Sequence, residues 1–394
     1  GAATSEFCAG WRKRIVSTVV HADRHRIQIR DSVEREISAI FTRCSTAAQA
    51  YGAEFSHLWS VAAKHAQGGK LVRPVLLIET YDALRRSQAT TMGTVSSVTQ
   101  RSAGAQDRGE VLRIAAAVEA LHYAFLLHDD VIDGDLTRRG RPNLIGELVH
   151  STRDDAHATN TRHWAESGAI LMGNLLLTTT HQLFAVADVP AEDRARLLAL
   201  LEHTILETTA GEFSDVGLGD GVIAPDLNTV LAMTARKTAS YTFELPLRAA
   251  VILAGGSPEL EETLRKAGSY LGLAYQLQDD LLAMFGDAEL HGKDSCSDLR
   301  EGKQTAIVCF ARMTSAWPSI EAEFGNSQIS EQSAEYLRGL LRECGAEQFV
   351  QGLIEEQLTA FYGLLAVGSE TDEIPVELRD VLLSLVARLE GRES

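Results

Sequence analysis

Residues 111–135 read VLRIAAAVEALHYAFLLHDDVIDGD. Val111, Ile114, Ala115, Val118, Leu121 and Phe125 recur at i, i+3, i+4 and i+7, the pattern of a helix with one apolar face. The run ends in His128-Asp129-Asp130-Val131-Ile132-Asp133, which sets Asp129 and Asp133 one turn apart on a common face. Like charges at that spacing destabilise an isolated helix. A divalent cation between them removes the conflict, and Mg²⁺ commonly takes one or two carboxylates plus waters and substrate phosphate.

The same periodicity extends through the chain. Leu197, Leu198, Leu201, Ile205 and Leu206 repeat it, strand-like alternation is rare, and only eight prolines interrupt 394 residues. The fold class is all-α, with about a dozen helices. No repeat at a solenoid period is present, so a single domain is expected over residues 1–394. Residues 86–106, rich in Ser, Thr, Gln and Gly, read as a long mobile loop between two helices. Polar stretches follow at 151–162 and 286–303. Residues 167–187 carry no Asp, Glu, Lys or Arg, but Asn174, Thr178, Thr179, Thr180, His181 and Gln182 break the apolar run. That segment reads as a helix buried in a large helical protein, not as a membrane span.

Composition narrows the function. The chain has 54 acidic and 37 basic residues, a net charge of −17, and 45% hydrophobic residues. The core is sizeable, while nucleic acid and anionic membranes are poor partners for such an acidic chain. Five scattered cysteines form no CxxC pair. The start GAATSEF lacks a basic segment followed by an apolar one. A cytoplasmic location without a stable membrane anchor is expected.

A second acidic cluster, Gln276-Leu277-Gln278-Asp279-Asp280, also ends an apolar helical run. Its i+4 position from Asp279 is Ala283, so the spacing of the first motif is incomplete, although Asp287 returns near the same face. Two such pairs inside a helical bundle would cost many kcal/mol unless neutralised. Acid clusters that hold metal imply an anionic ligand, typically a diphosphate, and cations stand at suggestive places. They are Lys70 and Arg73 in GGKLVRP, Arg138 and Arg139 after the first motif, Lys237 beside Thr238 in KTASYTF, and Lys293 and Lys303 after the second motif.

Taken in order, GGKLVRP, HDDVIDGDLTRRGRP, GEFSDV, KTASYTF, YQLQDDLLAMFGD and GKDSCSDLREGKQT resemble the trans-isoprenyl diphosphate synthases, or polyprenyl synthetases. The likeness runs from about residue 35 to 310, and the second motif is most similar to that of bacterial members; others carry Asp where Ala283 stands.

The resemblance implies one helical bundle with a deep central cavity, the isoprenoid synthase type I fold. It implies head-to-tail condensation of isopentenyl diphosphate with an allylic diphosphate (dimethylallyl, geranyl or farnesyl), usually in a homodimer. On the same ground Asp129, Asp133 and Asp279 hold Mg²⁺, about three ions to a site, with Asp130 and Asp280 in support. Arg138, Lys237 and Lys293 bind the allylic diphosphate. Lys70, Arg73, His122 and Arg139 bind isopentenyl diphosphate, and Thr238 and Gln276 line the reaction centre.

Ala124 and Phe125, one turn before Asp129, are expected to set product length. An aromatic residue caps the tunnel and alanine opens it, which points to a C15–C20 product, with geranylgeranyl diphosphate favoured. Asn174, Glu212 and Cys296 depart from the family pattern, at places often held by Asp, Gln and Gly. A class I terpene cyclase shares the fold but mixes Asn, Ser or Thr with Glu at its second metal site. A non-catalytic subunit of a heteromeric synthase would be expected to lose an aspartate motif. An HD-type phosphohydrolase needs further spaced histidines, absent here.

Overall fold

The computed structural model describes residues 2–92, 98–138, 140–152, 158–286, 297–366 and 374–390. Its helices are α1 (Ala2–Ala48), α2 (Ala53–His65), α3 (Val72–Met92), α4 (Val98–Ile132), α5 (Leu144–Ser151), α6 (Ala158–Ala185), α7 (Ala191–Gly219) and α8 (Leu227–Thr234). They continue as α9 (Leu245–Leu253), α10 (Pro258–Phe285), α11 (Ser297–Glu301), α12 (Ala306–Arg312), α13 (Trp317–Glu321), α14 (Glu331–Glu343), α15 (Ala346–Leu365) and α16 (Val376–Glu390). Residues Ala235–Glu244, between α8 and α9, wind as π-helix. The sole sheet among the described residues is the antiparallel hairpin β1 (Thr137–Arg138) and β2 (Arg141–Pro142). The class is all-α, as the periodicity requires.

The chain packs as two compact units. Unit 1 comprises residues 1–198, 253–255 and 375–394; unit 2 comprises 199–252 and 256–374. In unit 1, α4 is the central helix and packs against α1, α3 and α6. Val111, Ile114, Ala115, Val118, Leu121 and Leu127 are buried along it. The facing residues of α1 follow the same spacing: Ile29, Val33, Ile37 and Phe41. Phe41 meets Trp59 of α2 edge-on, with ring centroids 5.9 Å apart. Among the described residues, 108–132 is the one stretch long and apolar enough to cross a membrane. Its burial in unit 1 marks it as a core helix.

In unit 2, α10 packs against the π-helical segment and α15. Ser257 caps α10, accepting from Leu260 N at 3.1 Å, and Pro258 follows it in the first turn. Leu277, Met284, Leu299, Ile307, Leu337, Leu341 and Val350 form its core.

Three expectations need correction. Most of 86–106 is helix: α3 runs to Met92 and α4 starts at Val98, with 93–97 outside the described residues. The Thr and Ser content misled, because in α3 hydroxyls bond back to the helix itself. Thr90 Oγ1 donates to Arg86 O at 3.0 Å and Thr91 Oγ1 to Ser87 O at 3.1 Å. The charge-free stretch 167–187, most of it in α6, is not buried all round. It buries Met172, Leu176 and Phe184 but exposes Ile170 and Leu171. Of the pattern in α7, Leu197 and Leu201 are buried as expected, but Leu206 is exposed, and Leu200 and Thr204 complete the buried stripe.

Candidate active site

Helix α4 stops at Gly134, whose φ of 71° only glycine adopts without strain. Asp133 N still bonds Asp129 O at 2.8 Å, so Asp129 and Asp133 share the final turn. Asp130 is buried, Asp129 half-buried and Asp133 exposed. Carboxylates here stand at the negative end of the helix dipole, which disfavours them. Arg138 answers that field. Its Nη2 lies 2.5 Å from Asp130 Oδ1 and 3.4 Å from Asp129 Oδ2, and its Nε lies 3.2 Å from Asp130 Oδ1. Burial pushes the Asp130 carboxyl above its ordinary range, while Arg138 pulls the other way.

The hairpin that carries Arg138 is folded back by Asn143. Its backbone N donates to Leu136 O at 3.0 Å, its side chain donates to Asp135 O at 2.8 Å, and its Oδ1 caps α5 at Gly146 N, 2.9 Å away. A Cβ on Gly146 would stand 2.2 Å from the Leu136 carbonyl oxygen, so glycine is required at that approach. His128 faces elsewhere. Its Nε2 sits 3.2 Å from Ile170 O, and a Cβ on Gly173 would come within 2.3 Å of that nitrogen. It packs on α6, which removes the ground for an HD-type site.

The GGKLVRP segment is also in unit 1. Gly68 has φ 76° and Leu71 has φ 50°, a left-handed conformation rare for leucine, and the Leu71 side chain is buried. Val75 N bonds Leu71 O at 3.1 Å, so α3 begins there and Arg73 and Pro74 fall in its first turn. Lys70 is exposed and Arg73 half-buried. A Cβ on Gly69 would lie 3.6 Å from Glu119 Oε1 on α4. Glu119 precedes the half-buried His122 by one turn, so this turn and His122 are neighbours along α4. Ala124 is fully buried and Phe125 half-buried.

Unit 2 assembles the second set. Thr238 Oγ1 donates to Gln276 Oε1 at 3.1 Å, and Gln276 Nε2 donates to Asp280 Oδ1 at 3.1 Å. Lys303 Nζ lies 3.5 Å from the same Asp280 oxygen. Burial raises the Asp280 pKa against the pull of Lys303. The Asp280 charge holds the Lys303 ammonium protonated well above the usual lysine range. Asp279 is half-buried on the same helix. Lys237 is held by Asp215 Oδ2 at 2.6 Å and Glu212 Oε2 at 2.8 Å.

The π-helical winding that carries Lys237 and Thr238 had no sequence signal of its own. Its packing does. A Cβ on Gly211 would lie 2.4 Å from Lys237 N, and one on Gly272 would lie 2.3 Å from Ala239 Cβ. Glycines at these two points let α7 and α10 approach the wide turn closely. Single π turns recur at functional sites.

The structure therefore brings Asp129, Asp130, Asp133 and Arg138 together in unit 1, and Thr238, Gln276 and Asp280 in unit 2. Arg139, Lys293, Asp287 and Cys296 lie outside the described residues. Sequence reasoning missed Asp215, the partner of Lys237. It noted Lys303 only as a nearby cation, not as the partner of Asp280.

Among the described residues, no three His, Cys, Asp or Glu side chains form a ready metal cage. The donors are carboxylates at helix ends, one or two at a time. That set suits Mg²⁺, which keeps waters and takes substrate phosphate, and does not suit the closed tetrahedral sites of Zn²⁺.

The sequence pattern of the polyprenyl synthetases matches residues 57–337. A short chain isoprenyl diphosphate synthase of Methanocaldococcus jannaschii is 32% identical over 256 residues, 64% of this chain and 66% of that protein. The geranylgeranyl pyrophosphate synthase of Geoglobus acetivorans is 28% identical over 330 residues, 82% of this chain and 89% of the relative. The crystal structure of geranylgeranyl pyrophosphate synthase from Corynebacterium glutamicum, complexed with isoprenyl diphosphate and magnesium, superposes with a TM-score of 0.79 at 26% identity, covering 93% of this chain and 99% of that one. The chain belongs to the polyprenyl synthetase family, the trans-prenyltransferases that build prenyl diphosphates.

Proposed function

We propose that the chain condenses isopentenyl diphosphate with an allylic diphosphate in the presence of Mg²⁺, with geranylgeranyl diphosphate as the main product. The observation that carries this is the coupling of acidic helix ends to tethered cations: Arg138 on Asp129 and Asp130, and Lys303 on Asp280.

Asp129, Asp133 and Asp279 are the residues to hold the metal, which when bound neutralises charge on the diphosphate. Arg138, Lys237 and Lys293 bind the allylic diphosphate, and Lys70, Arg73, His122 and Arg139 the isopentenyl diphosphate. The allylic C–O bond breaks and its electron pair leaves with the diphosphate. Cations already fixed in place stabilise that charge without reorganising. The isopentenyl double bond then attacks the allylic carbon, a C–C bond forms, and the departing diphosphate takes the proton lost. Thr238 and Gln276, bonded to each other, present fixed dipoles to the reacting carbons, and apolar walls exclude water.

The enzyme works as a homodimer. The dimer reading is supported by α6, whose outward face presents Ile170, Leu171, Asn174 and Thr178 with no charged side chain among them. The acidity of the chain supports a cytoplasmic setting.

Purified protein with Mg²⁺, isopentenyl diphosphate and each allylic primer should yield a C20 product, and EDTA should stop turnover. Phe125→Ala should lengthen the product. An unchanged product length in that variant removes Phe125 as the floor, and absence of any condensation removes the reading.

A further inference from the structure

Arg30 lies on α1, outside every motif described above. Its Nη1 donates to Lys70 O and its Nη2 to Gly69 O, each at 2.9 Å. Both carbonyls belong to the turn that precedes α3. That turn holds Leu71 left-handed at φ 50° with its side chain buried, a conformation that persists only where the surroundings enforce it. Leu71 pins the turn from within the core, and the Arg30 fork pins it from outside. Lys70 immediately precedes the pinned residue, and Arg73 follows in the first turn of α3. The orientation of both cations thus depends on two adjacent carbonyls gripped by one planar group. A guanidinium can grip both at once, because its N–H donors form a rigid fork. An ammonium is a single compact centre on a flexible stem.

We propose that Arg30 is a positioning residue for isopentenyl diphosphate: it fixes the Gly69–Lys70 carbonyls so that Lys70 and Arg73 converge on one diphosphate. The proposal rests on reading this turn as the isopentenyl diphosphate site. Arg30 touches no substrate and acts through the turn.

Steady-state kinetics of Arg30→Ala, Arg30→Lys and Lys70→Ala, each varying one substrate at saturation of the other, test it. Arg30→Ala should raise KM for isopentenyl diphosphate about tenfold, as misplacement of binding groups does, while KM for the allylic substrate stays within about twofold. Arg30→Lys should behave like Arg30→Ala, and millimolar guanidinium ion should lower the raised KM of Arg30→Ala but not that of Lys70→Ala. A normal isopentenyl KM in Arg30→Ala beside a raised one in Lys70→Ala overturns the role of Arg30 and leaves the site reading intact. Equal rises in both KM values, with a lowered Tm and no rescue, overturn it too by showing a merely structural part. A normal isopentenyl KM in Lys70→Ala overturns the site reading itself. Should Arg30→Ala fail to fold, the isopentenyl KM of Arg30→Lys decides.

Discussion

The acidic end of α4 in unit 1 and that of α10 in unit 2 meet their cations by different routes. Asp130 is answered by Arg138, eight residues along the chain, delivered by a tight hairpin. Asp280 is answered by Lys303, 23 residues on, and by Gln276 on its own helix, which in turn takes a bond from Thr238, 38 residues away. The first arrangement is local, and the second needs the tertiary packing of unit 2. Burial is alike at the two ends: Asp130 and Asp280 are buried beside the half-buried Asp129 and Asp279, and only the first end adds an exposed carboxylate, Asp133. Asp130 anchors a network with Arg138 beside Asp129, as Asp280 does with Gln276 and Lys303 beside Asp279.

The sharpest break of that comparison is a pair of alanine variants. Asp129→Ala should lower kcat by at least about 100-fold, or about 2.7 kcal/mol of transition-state stabilisation. Asp279→Ala should lose a similar factor even though Ala283 leaves its motif incomplete. Both should keep a near-normal Tm, since neither side chain is fully buried. Near-normal turnover in Asp279→Ala alone would show that only the local motif holds metal. Near-normal turnover in Asp129→Ala refutes the assignment of the first.

A smaller effect tests how unit 2 sets its cation. Gly211→Ala forces a Cβ to 2.4 Å from Lys237 N, against backbone that cannot yield cheaply. Overpacking of this kind costs about 1–3 kcal/mol, and calorimetry should show Tm falling by about 1 °C for each kcal/mol in a chain of this length. The KM for the allylic diphosphate should rise with it, because Lys237 moves. Gly363→Ala is the control. Nothing lies within 4 Å of its added Cβ, so removing an exposed glycine from the last turn of α15 should leave Tm equal or slightly raised. Equal behaviour of the two variants would show that the π-helical turn does not need its close approach to α7.

These differences track what the sequence could disclose. The α4 face was legible because its apolar period and its carboxylates lie in one run, and the hairpin follows within ten residues. Arg138 was read only as a cation after the motif, and its bonds to Asp129 and Asp130 come from the hairpin that turns it back. The pairings of Lys303 and Asp215 were not legible either, since they are set by how the elements of unit 2 pack. Gly211 looked like part of a GEFSDV motif, yet its purpose is a steric clearance visible only with Lys237 beside it. The misread of 86–106 has a local cause. Ser and Thr favour loops by competing for backbone bonds, but inside a helix the same hydroxyls satisfy the carbonyl four residues back.

The smallest expected effect concerns Glu244, at the end of the π-helical segment. It is buried, and burial raises its pKa, opposed by Arg265 and Arg248 and reinforced by Glu207 and Glu262. The folded chain holds this proton more tightly than the unfolded chain does. Its contribution to stability is therefore largest below the unfolded value of 4.5 and is lost as pH rises through the folded pKa. Glu244→Gln carries no proton to lose. Its Tm should gain on wild type as pH is raised from about 4.5 towards neutrality, by a few degrees at most. The two arginines do not reverse this, because each keeps another partner: Arg248 bonds Glu261 at 3.0 Å and Arg265 bonds Glu262 at 2.8 Å. A Tm gap that instead narrows with rising pH would mean that Arg248 and Arg265 outweigh burial at Glu244.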